Sequence, residues 1–132
     1  GFIEGPGRRG GPTDALVSTE DEAIEWVARY DSLGYRQIKI YNRVHPTLVA
    51  TIIEEANKRG LRVSGHVPIG LRLTDAVRLG FDEIQHLNSL VQHFAPDSFY
   101  VHRLRGERDI GNVFVAVERE QPGDIARRWA GT

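Results

Sequence analysis

The feature that most constrains this chain is a repeated switch of pattern along its first two-thirds. Short runs rich in β-branched and aromatic residues alternate with longer segments whose apolar residues recur at helical spacing. Residues 1–5 (Gly-Phe-Ile-Glu-Gly) read as the end of a strand, and residues 36–41, 61–66 and 81–86 as three more strands. Three helices are predicted between them. Thr19 with Glu22, and Ser18 with Asp21, have capping-box spacing; Ala23, Ile24, Val27 and Tyr30 then mark one face, and Gly34 supplies the stop. Pro46 suits a first helical turn, Leu48, Val49, Ile52, Ile53 and Ala56 share a face, and Gly60 ends that helix. Thr74 is placed to cap a short third helix through Leu79, with Gly80 as its stop. Strand and helix in strict alternation imply parallel strands joined by right-handed crossovers, hence the α/β class.

Beyond Leu87 the rhythm weakens. Residues 113–117 read as a strand and 124–129 as a short helix, while residues 96–111 have no assigned element. Two regions are therefore expected, 1–88 with regular βα units and 89–132 as a C-terminal segment that continues them or stands apart. Residues 5–12 are rich in Gly, Pro and Arg and read as a loop. No Gly-Lys-Ser/Thr follows, so the loop is not a phosphate cradle. Arg8 and Arg9 within it are read as surface residues in preference to contacts for an anionic substrate.

Composition narrows the function. The chain has 132 residues, 40% hydrophobic and 27% charged, with 17 basic and 18 acidic side chains and a formal charge of −1. This suits a soluble globular domain, and the near-neutral balance gives no electrostatic case for nucleic acid or an anionic membrane. No apolar run approaches a spanning helix, and no basic-then-apolar leader is visible, so the cytoplasm is the expected compartment. The absence of cysteine excludes disulfides, thiolate metal sites and cysteine nucleophiles.

Three polar residues occupy matched places in successive units. Lys39 lies inside the second strand, and His66 and His86 end the third and fourth. In a parallel α/β barrel the C-terminal strand ends share one mouth, where active sites are built. Side chains alternate along a strand, so Ile38 and Ile40 should face the helices while Lys39 and Tyr41 face the other way. Each residue has a plainer reading: a strand-end histidine is often a structural hydrogen-bonding group, and a strand lysine an edge residue. Three at equivalent positions favour a shared site. Tyr41 is a candidate to donate a hydrogen bond to a substrate carboxylate or oxyanion, with packing at the mouth as its alternative. Asn88 is read as a helix cap, Asp82 and Glu83 as solvated loop residues, and His93 and His102 as surface histidines.

Ile38-Lys39-Ile40-Tyr41, Ser64-Gly65-His66-Val67-Pro68 and Asp82-Glu83-Ile84-Gln85-His86-Leu87-Asn88 together resemble three motifs of the amidohydrolase superfamily. They are most similar to its imidazolonepropionase-like branch, which includes metal-dependent prolidase-type dipeptidases. The resemblance covers residues 1–88. It implies a partial (β/α)8 TIM barrel, about strands 3 to 6 with the intervening helices. It also implies a metal-dependent hydrolase acting on the C–N bond of an amide, cyclic amide or dipeptide. Lys39 matches a strand lysine that is carbamylated by carbon dioxide and bridges two metals in binuclear members; His66 and His86 match histidines that bind the second metal. One or two divalent ions, zinc foremost, are expected with that donor set.

The same family carries a His-x-His pair on its first strand and an aspartate general base on its eighth. Neither is found here, so the catalytic base is expected outside this chain. With the missing methionine and the strand-like opening, this leads us to expect a segment of a longer protein. Uncovered strand edges leave room for a homo-oligomer. Two rival readings stand beside the enzyme: a non-catalytic α/β segment with a structural or assembly role, and a metal-free barrel enzyme.

Overall fold

The computed structural model describes residues 1–7, 15–86, 93 and 95. The elements are β1 (Phe2–Ile3), α1 (Glu20–Ser32), β2 (Gln37–Ile40), α2 (Pro46–Lys58), β3 (Arg62–Gly65), α3 (Leu73–Leu79) and β4 (Glu83–Ile84). The strands form one parallel sheet in the order β1-β2-β3-β4. The α/β class and the parallel arrangement therefore hold, and a sheet whose strands are adjacent in chain order is compatible with part of a β/α barrel. No described helix is long and apolar enough to cross a membrane. The expectations for Arg8, Arg9, Asn88, His102 and the elements at 113–117 and 124–129 lie outside the described residues.

The first two helices start where local chemistry predicts. Thr19 is the N-cap of α1: its hydroxyl accepts the Glu22 N–H (3.2 Å), and the Glu22 carboxylate accepts the N–H of Ser18 (2.7 Å) and of Thr19 (3.2 Å). Pro46 occupies the first turn of α2 behind the cap His45. The third start differs from expectation. Thr74 sits inside α3, whose N-cap is Arg72, because the Asp75 carboxylate reaches back to accept the Arg72 N–H (3.1 Å). Gly80 closes α3 in the left-handed conformation, as its sequence position implied.

Burial separates the two faces of the sheet. Ile3, Ile38, Ile40 and Val63 are fully buried and share a core with Ala23, Val27 and Tyr30 of α1 and Leu48, Val49, Ile52, Ile53 and Ala56 of α2. Ile24 departs from the expected face and is 39% exposed. Burying each large aliphatic side chain contributes about 1.5–3 kcal/mol. Register then places Phe2 beside Lys39, Lys39 beside Ser64, and Ser64 beside Glu83 on the other face.

Three features left no periodic trace in the sequence. Residues 15–17 return beside β1, with Glu4 N–H donating to the Ala15 carbonyl (2.9 Å) and Val17 N–H to that of Glu4 (2.9 Å). Asp82, expected to be merely solvated, accepts the Val63 N–H through its carboxylate (2.7 Å), and its own N–H donates to the Val63 carbonyl (2.9 Å). It thereby ties the start of β4 to β3. His93, expected at the surface, is only 3% exposed; the residues around it offered no spacing from which to read the direction of its ring.

Gly65 makes the close approach of β3 to β2 possible. Its φ is +130°, and a Cβ there would sit 2.2 Å from the Ile40 carbonyl oxygen and 2.8 Å from the Ile40 nitrogen. Gly34 also has positive φ (+82°) but nothing within 4 Å of its Cβ position. Gly34→Ala should cost about 1 kcal/mol, the left-handed penalty alone. Gly65→Ala should cost at least about 3 kcal/mol, because strain and backbone collision add. Urea denaturation of the two variants gives the comparison, and equal losses would refute the close-approach argument.

Candidate functional site

The side chains of Lys39, Tyr41, His66 and His86 come together on the face of the sheet opposite Ile38 and Ile40, at its C-terminal end. Lys39 points away from the core, and its Nζ lies 5.1 Å from the Tyr41 ring centroid and 5.9 Å from that of Phe2. The Tyr41 and His66 rings follow at 4.8 Å, and the His66 and His86 rings meet edge to face at 4.7 Å. The order across the sheet is thus lysine, tyrosine, histidine, histidine, one contact after another. Lys39 sits one row deeper than the histidines, level with Ser64.

Each position has a local cause. Lys39 is in mid-strand, so the two-residue period aims it. His66 follows Gly65 directly, and its N–H still donates to the Ile40 carbonyl (2.9 Å), which keeps it in register. Its Nδ1 lies 3.0 Å from Asn42 Oδ1. His86 lies two residues beyond β4, and the chain turns there through a left-handed conformation with φ of 71°. Such a conformation is uncommon outside glycine, and it takes His86 out of the extended path that a strand over 81–86 would have followed.

Two residues that the sequence did not single out support this end of the sheet. Glu4 is 2% exposed, and its Oε1 accepts the N–H of Gly5 (3.0 Å) and of Arg43 (2.7 Å). This fastens the end of β1 to the loop after β2. Asn42 in that loop carries the His66 contact, and its carbonyl accepts the Ile69 N–H (2.8 Å). Below them Gln37 donates to the Ser64 hydroxyl across β2 and β3. An open depression of about 240 Å³ adjoins the site, lined by Pro6, Asn42, Arg43, Val44, His45, Pro46 and Ile69.

Burial, first, and then the nearby His86 and Lys39 charges hold the His66 pKa below its ordinary value. Neutral imidazole, the form with a lone pair to give, is therefore favoured. Among the described residues no three His, Asp or Glu side chains form a group that would hold a metal.

An NMR titration of the metal-free chain should place the His66 midpoint below about 6.5. His86→Asn should raise it part of the way, and Lys39→Gln by less, since burial remains in both. Folding lowers this pKa, so the contribution to stability is complete above about pH 6.5 and is lost as pH falls through the His66 midpoint. A midpoint at or above the ordinary histidine value in the native chain would contradict this account.

No protein-family model matches the chain, and no curated protein matches it. Among solved structures the chain resembles a bottromycin amidohydrolase, with a TM-score of 0.61 and 25% sequence identity. The match covers 82% of this chain and 24% of that one, so the chain corresponds in length to a limited part of that protein.

Proposed function

We propose that this chain is the central part of a (β/α)8-barrel amidohydrolase that hydrolyses the C–N bond of an amide, cyclic amide or dipeptide with the help of divalent metal. The observation that carries this reading is the row Lys39, Tyr41, His66 and His86 at the C-terminal end of a parallel sheet. The likeness to bottromycin amidohydrolase supports it. Strands adjacent in chain order, joined by crossovers of one hand, carry their helices on one face and leave the other free to line a barrel interior.

The chemistry of Lys39, His66 and His86 supports a metal such as zinc once further ligands join them. His66 is favoured in its neutral form, its ring touches that of His86, and imidazole nitrogen suits zinc. Lys39 would supply the anionic oxygens of a carbamate, and His66 and His86 their ring nitrogens. When bound, the metal would acidify water and polarise the scissile carbonyl. The neutral Lys39 amine would form the carbamate by attacking carbon dioxide: the N–C bond forms, the pair of one C=O π bond moves onto oxygen, and the proton leaving nitrogen passes to solvent water. Tyr41, beside both Lys39 and His66, would donate a hydrogen bond from its hydroxyl to a substrate carboxylate or oxyanion. The proton of the attacking water belongs to a general base outside this chain, as do further metal ligands.

Metal stoichiometry and turnover of the longer protein test the reading. Lys39→Ala should lose metal and activity together, by more than the roughly 10- to 100-fold typical of losing an outer partner of a ligand. Lys39→Arg should not rescue, because guanidinium keeps its charge and forms no carbamate. A small carboxylic acid added to the alanine variant should restore part of the activity. Full metal occupancy with near-normal turnover in Lys39→Ala would end the bridging role.

A further inference from the structure

We infer that the open depression in the loop after β2 is a subsite for a carboxylate group of the substrate, recognised by Arg43. The inference rests on the amidohydrolase reading only for the kind of molecule that carries the carboxylate. The depression holds about 240 Å³ and joins the site at Asn42, which lines it and whose Oδ1 lies 3.0 Å from His66 Nδ1. Pro6, Val44 and Ile69 give it apolar walls. Among the described residues that line it, Arg43 is the one permanently charged side chain, and none is a carboxylate. A guanidinium beside apolar walls suits a planar anion, because its fork matches the two oxygens of a carboxylate.

The surroundings of Arg43 are shaped around it, which an ordinary surface arginine does not need. Its N–H donates to Oε1 of the buried Glu4 (2.7 Å), which also accepts the Gly5 N–H (3.0 Å). A Cβ at Gly5 would lie 1.8 Å from the Arg43 carbonyl oxygen, and one at Gly7 would lie 3.0 Å from Arg43 Nη1. The chain after β1 therefore lacks side chains at two places where Arg43 passes. His45 is engaged as the cap of α2, and the first turn of that helix holds no acidic residue. The positive end of the helix adds to a field that favours an anion.

Two parts of an amide substrate could supply the carboxylate, the α-carboxylate of an N-acyl amino acid or dipeptide and the side chain of an acidic residue. Three probes separate them. N-acetylglutamine carries only the α-carboxylate, N-acetylglutamic acid α-amide only the side-chain carboxylate, and N-acetylglutamine amide neither. In NMR titrations of the metal-free chain, at least one of the two acids should shift the signals of Asn42, Arg43 and Ile69, and the acid that does so names the source. The diamide should not shift them. Arg43→Gln should weaken binding of that acid by roughly 10- to 100-fold, the scale of a hydrogen bond to a charged group. Arg43→Lys, which keeps the charge without the fork, should recover part of it.

Turnover of the longer protein gives a second readout. Arg43→Gln should lower the ratio of kcat/KM for the acid to kcat/KM for the diamide by a similar factor, whereas a merely structural loss lowers both alike and keeps the ratio. The subsite is overturned if neither acid binds, if the diamide binds as well as the acids, or if Arg43→Gln binds the acid as the native chain does. The preference of the native chain decides the matter even where the glutamine variant fails to fold. Binding of an acid without turnover by the longer protein would end the hydrolase reading and uphold the subsite. Turnover with an acid-to-diamide ratio unmoved by Arg43→Gln would do the reverse.

Discussion

The register of β2 is the constraint on which both the core and the site depend. Along Gln37–Ile40, buried Ile38 and Ile40 alternate with partly exposed Gln37 and Lys39. Sliding this strand by one residue would bring Lys39 against α1 and α2 and push both isoleucines out of the core. Each expelled isoleucine costs about 1.5–3 kcal/mol, and an ammonium group among aliphatic side chains costs more unless it is paired. Apolar packing on one face therefore fixes the placement of polar groups on the other. Parallel pairing carries that registration sideways, so Phe2, Lys39, Ser64 and Glu83 stand in one row.

What could be read from the sequence was what local chemistry decides. Thr19 and Glu22 announced α1 because both halves of its cap lie within one turn, and the whole face of α2 was visible because five apolar residues repeat at helical spacing. The strands were visible through their β-branched residues, and their shared polarity groups Lys39, Tyr41, His66 and His86 from the sequence alone. Polar side chains whose partners are distant in the chain leave no such pattern. Glu4 meets Arg43, Asp82 meets Val63, and Asn42 meets His66, at separations of 39, 19 and 24 residues. The start of α3 was misplaced for a different reason: its cap is as local as that of α1, but Asp75 satisfies the Arg72 N–H and removes any need for Thr74 as the cap.

Lys39 shows why chain neighbours are a poor guide to environment in a strand. Ile38 and Ile40 flank it in sequence yet face the core, while the lysine meets Tyr41 and Phe2. A cation over an aromatic face gains about 0.5–1 kcal/mol at an exposed site. These rings therefore give the lysine side chain a partner without a carboxylate. Tyr41 is central to this arrangement because it touches Lys39 on one side and His66 on the other.

The residues of the site are held with unequal firmness, and the inequality follows from sheet position. Lys39 is within an interior strand, paired on both sides. His66 is one residue past β3 but retains a ladder hydrogen bond, a side-chain partner and two ring contacts. His86 is exposed and follows a strand of two residues at the edge of the described sheet. Gln85 N–H bonded to the Gly65 carbonyl (2.8 Å) anchors it from behind, and the His66 ring meets it in front. Both anchors run through β3, where Gly65 allows the close approach to β2. A disturbance of Gly65 would thus reach His66 directly and His86 through it, whereas a change at His86 leaves the backbone contacts of Lys39 and His66 intact. The site is built outward from the β2–β3 pair, with His86 its least constrained side chain.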